Sequence, residues 1–229
     1  LQYLSEIECI KSPGLLHRED SAKLLFRILL WDNAFVIPYA EALLENILPM
    51  VEDKHVLFSE SMINCIGRLV SIKPDCISER LGHLLMTLQK LIQDQSSIAR
   101  RRAALATLSI VFRKVERVKI NQDQFTFFLL LTVSIVKNEL DHSVRREAIR
   151  LMGVIGAIDP YLIKSLENSA VSKVSVDEYT ESSSININSS PDEFYARIVV
   201  ESLISILKDP TLSLHHMATA QSLVYLFRT

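Results

Sequence analysis

The side chains of this chain best suited to chemistry are its arginines and histidines. In "DHSVRREAIRLMGVIG", Asp141 to Gly156, three arginines fall within six residues. Guanidinium groups at that density can bind phosphate or carboxylate, or can hold a carbonyl inside the fold. Arg100, Arg101 and Arg102 offer the same cationic chemistry at a helix start, but no aromatic side chains are interleaved with them to stack on bases. His215 and His216 are the pair most like a metal site. Neighbours on a helix point about 100° apart, however, and do not readily chelate one ion. Asp192 and Glu193 are adjacent carboxylates that could serve as acid and base. After Ser190 and Pro191 they fit a helix start more simply, with Ser190 as the N-cap and Glu193 at the capping-box position.

The arginines must be read on a helix. At about 3.6 residues per turn, Val144, Ala148, Leu151 and Ile155 fall on one core-facing stripe. Arg146, Glu147 and Arg150 share the opposite arc, where Glu147 and Arg150 can pair at i, i+3. Arg145 is different: it lies between Ile149 and Met152, inside the apolar arc. A guanidinium buried there without an acceptor costs several kcal/mol, so an acid or a free carbonyl must reach it. Asp141 is the nearest acid, in this copy of the motif or in a neighbouring one.

Other chemistry is missing from the sequence. There is no GxxxxGK[ST] loop, GxGxxG, HExxH or GxSxG, which removes the common nucleotide, metalloprotease and hydrolase signatures. The 25 Lys and Arg against 27 Asp and Glu leave a net charge of −2, and no global field to draw in nucleic acid. Cys9, Cys65 and Cys76 lack CxxC spacing and read as small hydrophobes in a reducing compartment. "FTFFLLLTVSIV", Phe125 to Val136, is shorter than the roughly 20 residues of a membrane span and reads as a buried helix. No signal peptide is visible, and a start at Leu1 suggests that an earlier segment is missing.

With 229 residues, 48% of them hydrophobic and only five glycines, the chain predicts a sizeable helical core. Aligning Ala148 with Ala104 gives a period of 44 residues, within the about 40 to 47 of HEAT and armadillo units. Ala218 follows Ala148 by 70 residues, and removing the 26-residue polar tract Ser165 to Ser190 restores the period. Gly67 and Gly153 lie 86 residues apart, close to two periods. First helices end in polar turns at "LPMVEDKH", "LIQDQSS", "VKNELDHS" and "LKDPTLS". The expected fold is all-α: an α-solenoid of about five HEAT-like, armadillo-type helix pairs. Repeats are expected over 1–164 and again over 191–229, with 165–190 as a flexible insertion. Ala104, Val144, Ala148, Leu151, Ile155 and Ala218 form the expected seam. In proteins resembling HEAT repeats, an arginine ladders with an aspartate of an adjacent unit, and Asp141, Arg145 and Arg101 are the candidates here. Arg101 with Ser97, and His215 with Thr211, fill the matching slots.

Residues 141–229 carry a more specific likeness. "SVRREAIRLMGVIGAIDPY", then the polar insertion, then "DEFYARIVVESLISILKDPTLSLHHMATAQSLVYLF" resembles the amino-terminal HEAT region of the target-of-rapamycin (TOR/mTOR) serine/threonine kinases, members of the phosphatidylinositol-3-kinase-related kinases. "QDQSSIARRRAALATLSIV" and "SMINCIGRLV" follow in the same order more loosely, and before residue 40 the likeness is generic. The resemblance implies a non-catalytic scaffold segment without cofactor, metal or catalytic residue, the ATP and Mg of the family belonging to a distant kinase domain. It implies a Raptor-type or Rictor-type subunit and a second TOR chain as partners in nutrient and growth signalling, without nucleic acid or membrane insertion. The implied location is cytoplasmic, with recruitment to lysosomal or vacuolar membrane surfaces. The alternative is an independent HEAT-repeat adaptor or transport scaffold of the karyopherin or phosphatase-scaffold kind, holding peptide or protein partners in its groove.

Overall fold

Helix-forming runs bounded by aspartate, serine and proline fold as that punctuation demands. The structure, a computed structural model, describes residues 15–31, 33–115, 120–157 and 191–228. The regular helices are α1 (Leu15–Trp31), α2 (Ala40–Ile47), α3 (Val56–Ile72), α4 (Leu81–Gln93), α5 (Ile98–Lys114), α6 (Gln122–Asn138), α7 (His142–Gly156), α8 (Pro191–Lys208) and α9 (Ser213–Arg228). Short 3-10 turns at Ile37–Tyr39, Leu48–Glu52, Pro74–Arg80 and Pro210–Leu212 each carry a proline in their first two positions, where the missing N–H costs nothing. No strand occurs among the described residues.

The chain divides into two compact units, Leu1–Asn121 and Gln122–Thr229. In the first, α2 pairs with α3 and α4 with α5, while the second helices α1, α3 and α5 stack on one another. In the second, α6 pairs with α7 and α8 with α9, and α9 stacks on α7. Helices from both sides of the Ser165–Ser190 tract thus pack within one unit. The tract itself, Cys9, the Asp159–Pro160 stop, the cap residue Ser190 and the side chains of Asp192 and Glu193 lie outside the described residues.

Burial follows the helical period. Ala104, Val144, Ala148 and Leu151 have no exposed surface, and Ile155 and Ala218 are also buried. The Phe125–Val136 run differs from expectation: Phe125, Phe128 and Leu129 are buried but Leu130 is exposed, so this helix buries one face only. Among the described residues, Ala34–Glu52 is long and apolar enough to cross a membrane by length and composition. Within the first unit this stretch is broken by two 3-10 turns, and Glu41 and Glu45 pair with Lys73 and Arg80 at 2.7 and 2.6 Å.

Two glycines let second helices approach closely. A Cβ on Gly67 of α3 would stand 2.9 Å from Thr107 Oγ1 of α5, and a Cβ on Gly153 of α7 would stand 2.7 Å from Ser222 Cβ of α9. The hydroxyl opposite each glycine bonds the carbonyl four residues before it. Thr107 Oγ1 donates to the Ile63 carbonyl at 3.1 Å, and Ser222 Oγ to the Ile149 carbonyl at 3.0 Å. The same crossing is therefore built twice, once in each unit, from a missing Cβ and a buried hydroxyl.

Gly153→Ala must push backbone as well as side chain, because Ser222 Cα lies 3.0 Å from the new Cβ. It is expected to cost about 1–3 kcal/mol. Gly82→Ala meets nothing within 4 Å in α4 and is expected to gain up to about 1 kcal/mol. Urea unfolding followed by circular dichroism checks both; equal effects from the two substitutions would contradict the close crossing.

Candidate functional site

Each helix pair closes through a short turn, and the same chemistry recurs at every turn. Asp53, Asp94, Asp141 and Asp209 sit there. In each case a carboxylate oxygen accepts the amide of the residue two further on, namely His55, Ser96, Ser143 and Thr211, at 2.9 Å. Such a side-chain turn replaces backbone bonds that the reversal cannot make. Asp141 also accepts the Val144 amide at 3.0 Å and so caps α7, while Ser97 Oγ caps α5 through the Arg100 amide at 3.3 Å.

These bonds favour the charged carboxylates. The hydroxyls of Ser96, Ser143 and Thr211, followed by turn amides, hold Asp94, Asp141 and Asp209 below the ordinary carboxylate value. For Asp53, burial opposes the shift, but the His55 amide and the Arg18 guanidinium at 2.6 Å prevail and lower it too. Arg18 also lies over the Phe58 ring, 4.3 Å from its centre.

A second device serves the other side of the turn, where carbonyls at or just past the end of the first helix lack helical partners. The fourth residue of each second helix reaches back to one of them. Ser59 Oγ donates to the Val51 carbonyl at 2.5 Å, and Arg101 Nε to the Ile92 carbonyl at 3.1 Å. Arg145 Nη2 donates to the Glu139 carbonyl, and His216 Nε2 to the Asp209 carbonyl at 3.0 Å. This corrects the expected ladder: Asp141 is spent on its own turn, and Arg145 binds a carbonyl of its own helix pair instead of an aspartate of an adjacent unit. It also shifts the last slot by one residue. His216, not His215, takes it, because a 3-10 turn at Pro210–Leu212 starts α9 at Ser213.

His215 is fully buried instead, with Nε2 3.2 Å from Nδ1 of His142. No group of three or more His, Cys, Asp or Glu that could hold a metal occurs among the described residues. The arginine triplet is committed as well: Arg100 Nη2 donates to the Lys54 carbonyl at 3.2 Å, Arg101 is buried, and Arg102 pairs with Glu60 at 3.0 Å. Glu147 and Arg150 pair at 2.5 Å, as their spacing suggests. Burial pushes the thiols of Cys65 and Cys76 up to about 12 and about 11, which makes both poor nucleophiles. Ser59, Thr107, Asp53, Asp94 and Ser222 escaped the sequence reading. The recurring Asp-x-(Ser/Thr/His) at the turns was the signal that could have found the aspartates.

Comparison with known proteins accords with this architecture. The family model described as "Serine/threonine-protein kinase mTOR domain" matches residues 124–229. "Serine/threonine-protein kinase TOR2" of Saccharomyces cerevisiae is 29% identical over 233 residues, covering 100% of this chain and 9% of its own length. "Serine/threonine-protein kinase tor1" of Schizosaccharomyces pombe is 29% identical over 236 residues, covering 99% and 10%. For "Serine/threonine-protein kinase mTor" of Drosophila melanogaster the values are 27% over 233 residues, 93% and 9%. The chain thus spans about a tenth of the length of these relatives. Among solved structures, an engineered protein matches with TM-score 0.60 at 12% identity, covering 98% of this chain and 94% of the other. A designed armadillo repeat protein matches with TM-score 0.56 at 15% identity, covering 97% and 98%. The fold is of the helical-repeat, armadillo-type solenoid class.

Substitutions at the α6–α7 turn separate these roles. Asp141→Ala is expected to cost about 1 kcal/mol through the lost cap. Arg145→Met exchanges one carbonyl bond for apolar packing and is expected to cost about 1 kcal/mol. Ala148→Glu forces a charge into the buried seam and should cost more than about 4 kcal/mol, enough to unfold the second unit. Chemical unfolding of the three variants reads the order directly, and a stable Ala148→Glu variant would refute the assigned face.

Proposed function

We propose that this chain, an amino-terminal, non-catalytic region of a TOR-type serine/threonine protein kinase, serves as a scaffold on which the kinase complex assembles. The observation that carries this reading is the similarity to TOR kinases along the whole chain, joined to a fold whose arginines, aspartates and hydroxyls are spent on turns and crossings. Part of what remains outward is apolar. Trp31 is 92% exposed, with Phe35 and Tyr39 also exposed after it; Met217 on α9 is 71% exposed and is flanked by exposed Leu214 and Val224. Side chains of this kind are those that anchor protein partners by burial.

On this reading a Raptor-type or Rictor-type subunit and a second TOR chain are the partners, and the work is assembly for nutrient and growth signalling. Phosphate transfer, with its ATP and Mg, belongs to the kinase domain of the intact protein. The protein would act in the cytoplasm and at the lysosomal or vacuolar membrane surface, held there through its complex. Similarity to TOR kinases across the chain favours this role over an independent adaptor or transport scaffold.

Lysine-directed cross-linking of the assembled kinase complex, read by mass spectrometry, tests the proposal. Lys23, Lys54, Lys73, Lys90, Lys114, Lys137 and Lys208 are expected to yield links to a Raptor-type or Rictor-type subunit or to the second TOR chain. Links confined to the chain's own residues would overturn the scaffold reading.

A further inference from the structure

The α7–α9 junction holds one contact that neither the turns nor the crossings require. His142, exposed at the first position of α7, meets His215, fully buried on α9, with Nδ1 and Nε2 3.2 Å apart and ring centres 5.3 Å apart. The other nitrogen of His215, Nδ1, is buried with no hydrogen-bond partner among the described residues. A hydrogen bond between two neutral imidazoles needs one protonated nitrogen facing one bare nitrogen. The arrangement that leaves no stranded proton has His215 donating from Nε2 to a bare Nδ1 of His142, while Nε2 of His142 faces solvent. Only the neutral form of both rings permits it.

We propose that the His142–His215 contact is a pH-sensitive joint: protonation strands a proton on the buried Nδ1 of His215, or sets N–H against N–H once both rings are charged, and so loosens the first half of α9 from α7. A second proton on His142 turns its Nδ1 into a donor. His215 must then move its own proton to the partnerless Nδ1, and a proton added to His215 lands at the same buried atom. With both rings charged, N–H faces N–H.

The surroundings oppose such protons. Burial first, then Arg145, His142, Arg146 and His216, lower the His215 value below 6.5. Asp141 and Asp209 are tied to the amides of their own turns. On α8, Arg197 and Glu201 pair with each other at 2.7 Å, and Lys208 ends the helix. His216 is not part of the switch, because its Nε2–H can donate to the Asp209 carbonyl whether the ring is neutral or charged.

The unfolded chain binds this proton near 6.5 and the folded one resists it. The stability held by the neutral ring is therefore complete above 6.5 and declines as pH falls below that value toward the lowered folded one. The turn carboxylates, ordinarily at 3.8 and lowered here, act in a separate and far more acidic range.

Amide hydrogen exchange of the 229-residue chain, corrected for intrinsic rates, tests the joint between about pH 7.5 and about pH 5.5. Protection across residues 213–222 is expected to fall by up to about tenfold, the limit set by the one pH unit between 6.5 and 5.5, while α3 keeps its protection. His215→Phe should abolish the loss. Should that variant fail to fold, histidine-resolved NMR titration of the unaltered chain decides: His215 must stay neutral below 6.5. Three results would overturn the joint: pH-independent protection in α9, equal loss in α3, or titration of His215 at or above 6.5.

Discussion

A helix pair leaves unmatched carbonyls at the end of its first helix and unmatched amides at the start of its second, both at one short turn. Everything else here depends on how that turn is closed. An aspartate takes the amides, and the fourth residue of the second helix takes a carbonyl, in all four pairs among the described residues. The aspartate and arginine bonds are charge-assisted, a class about twice as strong as neutral bonds. They fix the reversal tightly enough for the apolar stripes of both helices to face the same core. Chemically different side chains, Ser59, Arg101, Arg145 and His216, do the second task because only a donor of suitable reach is required.

Stacking adds a different constraint. Second helices must approach until their backbones nearly touch, and a Cβ at Gly67 or Gly153 would prevent that. The hydroxyls of Thr107 and Ser222 then donate to the carbonyls of Ile63 and Ile149. A buried hydroxyl without such an acceptor would be a liability. Close approach and polar satisfaction are thus one feature, and it sets where α5 meets α3 and where α9 meets α7.

Ala104, Ala148 and Ala218, which the sequence aligns through a 44-residue repeat once the polar tract is set aside, are all buried. The anomaly of Arg145, a cation inside an apolar arc, was legible in the sequence. Its partner was not legible, since a backbone carbonyl leaves no mark in the sequence, whereas Asp141 stood nearby and looked suitable. His215 was aligned to the wrong slot for a related reason: the 3-10 turn at Pro210–Leu212 moves the start of α9, which spacing counted from Thr211 does not reveal. Gly67 and Gly153 stood out by their spacing, but Thr107 and Ser222 sit at different offsets from them and share no residue type.

The features that look most reactive in the sequence are the least available in the fold. A guanidinium held by a carbonyl cannot take a phosphate without opening its turn, and a carboxylate that accepts two amides is a poor base because protonation would cost both bonds. Thiols at Cys65 and Cys76 are raised by burial for the same general reason: the interior disfavours the charged form that chemistry needs. What such a chain can still offer to other molecules is surface, and at Trp31, Phe35, Leu214 and Met217 that surface is apolar. Apolar surface recognises shape and excludes water; it transfers no groups.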